Sequence, residues 1–504
     1  MNSDNTQIIF GPPGTGKTTE LLRIVECLLN EGVRPHEICF VAFTRKAANE
    51  ARDRAITKFN LRYEDLSMFR TLHSLAFKQL NIQRSQVLGI RDYIEIAKSL
   101  GLFITARGVS EDGTINGLSK GDRLLFTEMI ARSRMIPLKE FWEKYPDEDL
   151  NLLELERLAT TIKQYKEANE KLDFIDMIHE FCERGVVPEI KHLIVDEAQD
   201  LSPIQWMMVK KLGKDAENIY VAGDDDQAIF SWAGADVEKF IALEGSQRVL
   251  TKSWRCPGSV TAVANDIVQQ IDTRIEKCWE SRDEAGEVQH VTGLQQIDMS
   301  KGTWLLLARN VYLLDRYCNH CMSMGFVYSS VTGSPVSGAN LQAIVQWEEL
   351  RKGKQIPAIK AMQVYDQMSS KVGVAHGGKT KLEKIPDNEL VDMQYLQKHC
   401  GLIIDKIWHE ALDRIPSAER EYFLLALRQG EKLLKEPRIR ISTIHSVKGG
   451  EADNVVIMTD MASRTFKEYQ QDQDSEHRVW YVAVTRAREK LFIIQPETNY
   501  YYSL

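Results

Sequence analysis

The apolar run Gln7-Ile8-Ile9-Phe10 passes directly into Gly11-Pro12-Pro13-Gly14-Thr15-Gly16-Lys17-Thr18, and the helical pattern TTELLRIVECLL follows at once. Strand, glycine-rich turn and helix in that order are the frame of a phosphate-cradling loop. The glycines let backbone N–H groups approach phosphate oxygens, and the helix N-terminus adds a favourable dipole. Gly11, Gly14, Thr15, Gly16 and Thr19 line such a loop, Lys17 reaches the β and γ phosphates, and Thr18 offers an oxygen to Mg2+. Kinases, ring-forming machines and motors all use this frame, so it predicts nucleotide binding without choosing among them.

Similar apolar runs recur as EICFVAF, HLIVDE, NIYVAGD, RVLTKSW, WLLLAR, RIRISTI, NVVIM and KLFIIQ, each followed by a polar or glycine-rich turn. Near-continuous apolar runs of this length read as buried parallel strands, so the class is α/β. They fall into two groups, residues 1–80 with 180–248 and residues 249–333 with 434–504, which predicts two open parallel sheets. Residues 81–179 form a helical insertion, in which Leu155, Leu158, Ile162 and Tyr165 share one face. Residues 334–433 form a second insertion that opens in the glycine-, proline- and serine-rich VTGSPVSG. Its basic run carries Arg351, Lys352, Lys354, Lys360, Lys371, Lys379, Lys381 and Lys384 against Asp366 and Glu383, and reads as a solvated face ahead of a nucleic-acid contact.

At 504 residues the chain exceeds what one core supports, in keeping with several domains. The net charge of −8 argues against a generally basic nucleic-acid binder but leaves room for a local groove. No stretch is apolar enough to span a membrane, the N-terminus lacks an export pattern, and eight scattered cysteines suit a reducing compartment, so a cytoplasmic protein is expected. The pair Cys318 and Cys321 sits in a helical pattern without a second pair at ligand spacing, so no zinc site is expected.

HLIVDEAQD brings Asp196 and Glu197 to the end of a strand, where ligands sit in open α/β sheets. Asp196 can hold Mg2+ and Glu197 can polarise an attacking water, the two tasks that hydrolysis of a γ-phosphate requires. The next strand ends in GDDDQAIFSWAGA, which crowds Asp224, Asp225, Asp226, Gln227, Phe230 and Trp232 into one turn. Gln227 would reach the γ-phosphate while Phe230 and Trp232 project further along, able to stack on bases without regard to sequence.

These runs, followed by KSWRCPGSV, STIHSVKGGEADNVVI and RVWYVAVTRAREKL, resemble in order the motifs of the UvrD/Rep/PcrA-type helicases of superfamily 1. FVAFTRKAANEARDR, TLHSLAFKQL and LDFIDM are similar to further segments of that family, so the resemblance runs from Gly11 to Leu491. It implies two RecA-like motor domains, each with an insertion, and ATP with Mg2+ as cofactors. It implies arginine fingers at Arg255 and Arg486, entering from the second sheet, with Lys17, Glu197 and Gln227 completing the catalytic set. Trp254 would stack on adenine in place of the family's tyrosine, and Glu451 would contact the ribose. Phe43, Thr44, His73, Phe230, Trp232, Thr443 and His445 would hold single-stranded DNA.

The activity so implied is an ATP-dependent DNA helicase and single-strand translocase of 3′ to 5′ polarity, monomeric, working at single/double-strand junctions in replication, repair or recombination. The sequence departs from the family at Ala233, where the family carries arginine, and Gln7 lies too close to the loop to serve as the family's upstream adenine-reading glutamine. The second insertion is also short. Two other readings follow: a translocase that displaces bound proteins with little unwinding, and a nucleotide-switched DNA-binding protein.

Overall fold

In the computed structural model, residues 3–105, 119–147, 149–333, 335, 338–370 and 372–504 are described. Six parallel strands form the first sheet: β1 (Thr6–Phe10), β2 (Ile38–Val41), β3 (Phe69–Arg70), β4 (His192–Val195), β5 (Asn218–Gly223) and β6 (Ser246–Val249). Their order is β3-β2-β4-β5-β1-β6. β5 therefore lies between β1 and β4, and the turns at the C-terminal ends of all three emerge side by side. Apolar residues fill both faces, with Ile8, Phe10, Leu193 and Val195 on one and Ile9, Phe40 and Ile194 on the other. That two-sided burial is why these strands read as unbroken apolar runs.

The second sheet contains β7 (Glu287–Val291), β8 (Trp304–Ala308) and β9 (Tyr328–Ser330), continuing after the insertion with β12 (Ile439–Thr443), β13 (Ala452–Met458) and β14 (Ala487–Ile494). β10 (Ile356–Pro357) and β11 (Leu390–Val391) pair antiparallel inside that insertion. The sheet order is β7-β14-β13-β8-β12-β9, again parallel throughout. The molecule thus holds two parallel-sheet α/β domains of the RecA-like kind.

One strand changes sides relative to expectation. RVLTKSW starts at the expected boundary of 248, with all but Arg248 on the side of the second sheet, but Arg248 and Val249 close β6 and pair with Ile9 and Phe10 at the edge of the first. The chain crosses between domains only after it. β3, β7 and β9 were not legible, being short or polar edge strands that lack the buried run.

The helices Ile90–Ser99, Lys120–Ser133 and Leu152–Asn169 build a separate core, with Leu155, Leu158 and Ile162 buried and Tyr165 half-buried against it. The helix Phe174–Arg184 already packs Met177, Ile178 and Phe181 into the first sheet's core, ahead of the expected boundary at 180. The second insertion is centred on Trp347, Tyr365, Trp408 and Phe423. Three of its basic residues are matched locally, Arg351 by Glu348, Lys354 by Glu349 and Lys379 by Asp366. Lys371 lies outside the described residues, as does part of VTGSPVSG. Cys318 and Cys321 lie in the helix Leu314–Met324, with Cys321 buried in the second core. Among the described residues no helix is long and apolar enough to cross a membrane.

Candidate nucleotide and strand-binding site

The loop after β1 turns through two left-handed glycines, Gly14 at φ 71° and Gly16 at φ 83°, and Gly16 caps the helix Lys17–Asn30. Gly14 is required on a second ground. A Cβ there would meet the Cβ of Arg255 at 2.4 Å, because the second domain approaches the loop at this point. The Trp254 N–H donates to the carbonyl of Gly14 at 2.8 Å, and the Ser253 hydroxyl donates to that of Pro13 at 2.7 Å. Lys17 donates to the Gly11 carbonyl at 2.8 Å, keeping its ammonium inside the loop. Thr19 instead lines a cleft of 1020 Å³ between the helices Lys17–Asn30 and Arg45–Phe59.

Thr18 donates its hydroxyl to Asp196 at 2.9 Å, so the two oxygen donors expected to hold a metal already converge. Glu197 follows in a left-handed backbone, φ 53°, an uncommon conformation for a non-glycine residue and one that concentrates at functional sites. Burial, reinforced by Glu197, pushes the carboxyl of Asp196 up to about 6. Burial raises Glu197 too, but the facing Lys17 and Lys448 charges and a bond from Gln199 outweigh it and hold the carboxyl down to about 2. Of the two neighbours, Glu197 therefore keeps its charge further into the acid range.

Across the cleft Arg255 pairs with Glu451 at 2.6 Å, and Arg488 takes the other carboxylate oxygen at 3.3 Å. Glu451, expected on a ribose, is thus engaged by two arginines. Arg486 is buried, 1% exposed, and its guanidinium donates to Gln227 Oε1 at 2.9 Å. Burial and the nearby Arg255 push it down to about 9, still charged at neutral pH. Gln227 in turn donates its amide to Asp224 at 2.5 Å. Trp254, by contrast, leaves its ring 71% exposed beside the loop, open to a planar partner.

Sequence reasoning missed Lys448. It bonds both carboxylate oxygens of Asp200, at 2.7 and 2.6 Å, and the carbonyl of Gln227 at 2.5 Å, and its ammonium lies 5.1 Å from the ring centre of Phe230. One side chain from the second domain therefore touches DEAQD, the glutamine turn and the aromatic group together. Asp200, the last acid of the DEAQD run, was the available signal: a buried carboxylate needs a cation.

The aromatic group corrects an expectation. Phe230 is 7% exposed, closed in by Phe43 at 5.5 Å, Trp232 at 6.3 Å and His445 at 6.5 Å, so it supports a platform and does not form one. Trp232 is half-buried between Phe126 at 5.8 Å and His445 at 5.8 Å, and its indole N–H has no hydrogen-bond partner among the described residues. Phe43 is half-buried as well. Large aromatics bury area where they can, and here two domains and an insertion share them. Arg134 of that insertion donates to the Ser231 carbonyl at 2.6 Å, placing a cation beside Ala233 in the turn.

Thr443 lies at the end of β12 and donates its hydroxyl to that of Ser446 at 2.9 Å, while Thr44 caps the helix Arg45–Phe59 by accepting from the Ala47 N–H at 3.1 Å. His73 packs edge-on against Phe174 at 5.6 Å. Burial lowers His73 to about 4 and His445 well below its ordinary value, so both rings are neutral at pH 7 and offer stacking or hydrogen bonding and no charge. Gln7 sits within β1, between β5 and β6.

Two parallel-sheet domains facing each other across a phosphate-binding loop, an acidic pair and two arginines define the class of two-domain P-loop motors. The comparisons agree. The UvrD/REP helicase N-terminal domain matches residues 2–247 and the UvrD-like helicase C-terminal domain matches residues 418–498. The chain belongs to the UvrD/Rep/PcrA-like helicase family. It is similar to a probable DNA helicase of Mycoplasma pneumoniae, 28% identical over 312 residues, which cover 55% of this chain and 56% of that protein. It is also similar to the ATP-dependent DNA helicase PcrA of Bacillus subtilis, 25% identical over 311 residues, 58% of this chain and 41% of that one. A putative ATP-dependent DNA helicase of B. subtilis, YjcD, is 24% identical over 296 residues, 54% of this chain and 38% of that one. The chain spans about half the length of the curated relatives it matches.

Proposed function

We propose that this protein is an ATP-dependent DNA helicase and single-stranded DNA translocase that moves 3′ to 5′ and opens duplex at single/double-strand junctions, as a monomer, in replication, repair or recombination. The observation that carries this reading is the triple contact of Lys448. It links the acidic pair's segment, the Gln227 turn and the Phe230 ring, so a change at the nucleotide has a direct route to the aromatic group.

Lys17 and the loop's N–H groups bind the β and γ phosphates, and the exposed Trp254 ring stacks on adenine. Thr18 and Asp196, two oxygen donors 2.9 Å apart, suit Mg2+, which favours hard oxygen ligands. Bound there, the ion supplies positive charge against the phosphate oxygens. Glu197, charged and aimed from a fixed turn, accepts a proton from the attacking water, and Gln227 orients the γ-phosphate. Arg255 leaves Glu451 and Arg486 remains with Gln227 as the cleft closes, both neutralising charge that develops on the transferred group. Glu451, still held by Arg488 through one oxygen, then has the other free for the ribose. The strand runs over Phe43, Trp232 and His445, with Thr44, His73 and Thr443 available to phosphate or base and Phe230 as the support beneath.

Steady-state ATP hydrolysis with and without single-stranded DNA, with RNA as control, tests the reading. Strong stimulation by DNA is expected, and turnover indifferent to DNA would defeat it. A second reading, displacement of bound proteins with little unwinding, is favoured by Ala233 and the short second insertion. Comparing a forked duplex with a protein-blocked strand separates the two.

A further inference from the structure

The three acids of the GDDDQ turn have no part in the chemistry just described, and Asp224, Asp225 and Asp226 are 0%, 0% and 1% exposed. Buried acids in such a group require cations. All of these come from the second domain. The Lys277 side chain, 1% exposed, places its ammonium 3.4 Å from Asp224, 2.9 Å from Asp226 and in close contact with Asp225. Arg274 bonds both oxygens of Asp226 at 2.8 Å, and the Ile275 N–H donates to Asp225 at 2.7 Å. Arg478 donates to the Asp225 carbonyl at 2.9 Å.

The segment that carries these groups is a short arm lying against the first domain. Ile275 packs on the first sheet's core, and the Lys277 ammonium is 5.9 Å from the ring of Phe10, the residue that precedes the phosphate loop. Its other end is tied to the helix Gln473–Val484: Asp474 accepts from the N–H groups of Asp272 and Thr273 at 2.9 and 2.8 Å, and Arg478 also bonds the Thr273 carbonyl. That same helix leads directly into Arg486. Arm, helix and Arg486 are therefore joined into one piece, which holds the turn at Asp224–Asp226 with one end and Gln227 with the other.

The amide of Gln227 has only one orientation in this setting. A guanidinium can only donate, so Oε1 faces Arg486, and the NH2 is left for the Asp224 carboxylate. We propose that the segment Thr273–Lys277 is the fixed pivot about which the two sheets turn, and that Lys277 is a positioning residue for hydrolysis: by holding Asp224 it sets the amide of Gln227 against Arg486. The proposal rests on the reading of Gln227 and Arg486 as groups that meet the γ-phosphate.

The test is Lys277→Met, alone and combined with Asp225→Asn, which removes one acid together with its cation. Lys277→Met lowers kcat for ATP about tenfold or more while KM stays within about threefold, because the loop that binds ATP is untouched. Amide hydrogen exchange over residues 224–228 quickens about tenfold, with the helix Lys17–Asn30 unchanged. The double variant regains the Tm of the unaltered protein but not its kcat, and it decides the matter if the single variant does not fold. Retained kcat, unchanged exchange in the turn, or a double variant that regains kcat along with Tm would each overturn the proposal. An unaltered protein without ATPase activity would remove the reading of Gln227 instead, and the exchange measurement would still show whether Lys277 orders the turn.

Discussion

The two ends of the interface between the sheets are built differently. At the nucleotide end the bonds across are neutral, from the Trp254 N–H to the Gly14 carbonyl and from the Ser253 hydroxyl to the Pro13 carbonyl, while Arg255 pairs with the half-exposed Glu451 of its own domain. At the other end Asp224, Asp225 and Asp226 are enclosed by Lys277, Arg274 and Arg478, with side-chain exposures of 1%, 16% and 3% on the cationic side. Exposed ion pairs contribute about 0–1 kcal/mol, whereas removing one partner of a buried pair costs about 3–5 kcal/mol. An interface so graded can open where it is weak and stay joined where it is strong. Lys448, which is mostly buried and bonds Asp200, lies between the two regimes.

The largest effect expected on this contrast is at the weak end, where chemistry is assigned. Glu197→Gln or Lys17→Ala should reduce ATP turnover about a hundredfold to ten-thousandfold, the range for loss of a general base, with Tm little changed. Normal hydrolysis by either variant would sink the assignment of the site. Lys448→Met should come next. It strips the cation from Asp200 and the link to Phe230, so the ratio of DNA-stimulated to basal ATPase should fall by about tenfold, at the scale of an unpaired buried charge. A ratio that holds while both rates fall together would make Lys448 a structural ion and no coupler.

Trp232→Ala should act on one side only. Stacking on a base is worth about 1–3 kcal/mol, so single-strand affinity should fall about fivefold to 150-fold while basal ATPase stays within about twofold. Equal loss of both would assign Trp232 to the packing around Phe126 and His445, which its half-buried position also permits.

The contrast also explains what could be read from the residues alone. Strands buried on both faces, such as Ile8–Phe10 and Leu193–Val195, announce themselves as apolar runs, and the loop from Gly11 to Thr18 carries its chemistry in order. Edge strands such as β3 and β9 and the placement of Arg248 and Val249 in the first sheet depend on pairing partners far along the chain, which local pattern does not encode. The acids of GDDDQ were visible as an excess of charge in an apolar setting, but Arg274 and Lys277 lie about fifty residues away in a segment of no marked pattern, at separations of 48 and 52. Burial of Phe230 was equally hidden, since it needs Phe43 and Lys448 at once.

A second buried charge cluster, in the first insertion, sharpens the comparison by leaving one acid protonated. Glu128, Asp173 and Asp176 face Arg132 and Lys166, three acids against two cations, as Asp224, Asp225 and Asp226 face Arg274 and Lys277 between the domains, where Arg478 adds a bond to the Asp225 carbonyl. The excess falls on Glu128, where burial outweighs Arg132 and pushes the carboxyl up to about 7. An acid whose folded pKa is raised holds its proton in the native state after the unfolded chain has lost it, so stability falls as pH rises between about 4.5 and 7 and stays lowered above that. Glu128→Gln keeps the shape and removes the titration. Its Tm should match the unaltered protein near pH 5 and exceed it near pH 8 by about 2–4 °C. If the two Tm curves stay parallel across that window, Glu128 is already charged and satisfied, and the insertion's cluster is no different from the pivot's in this respect.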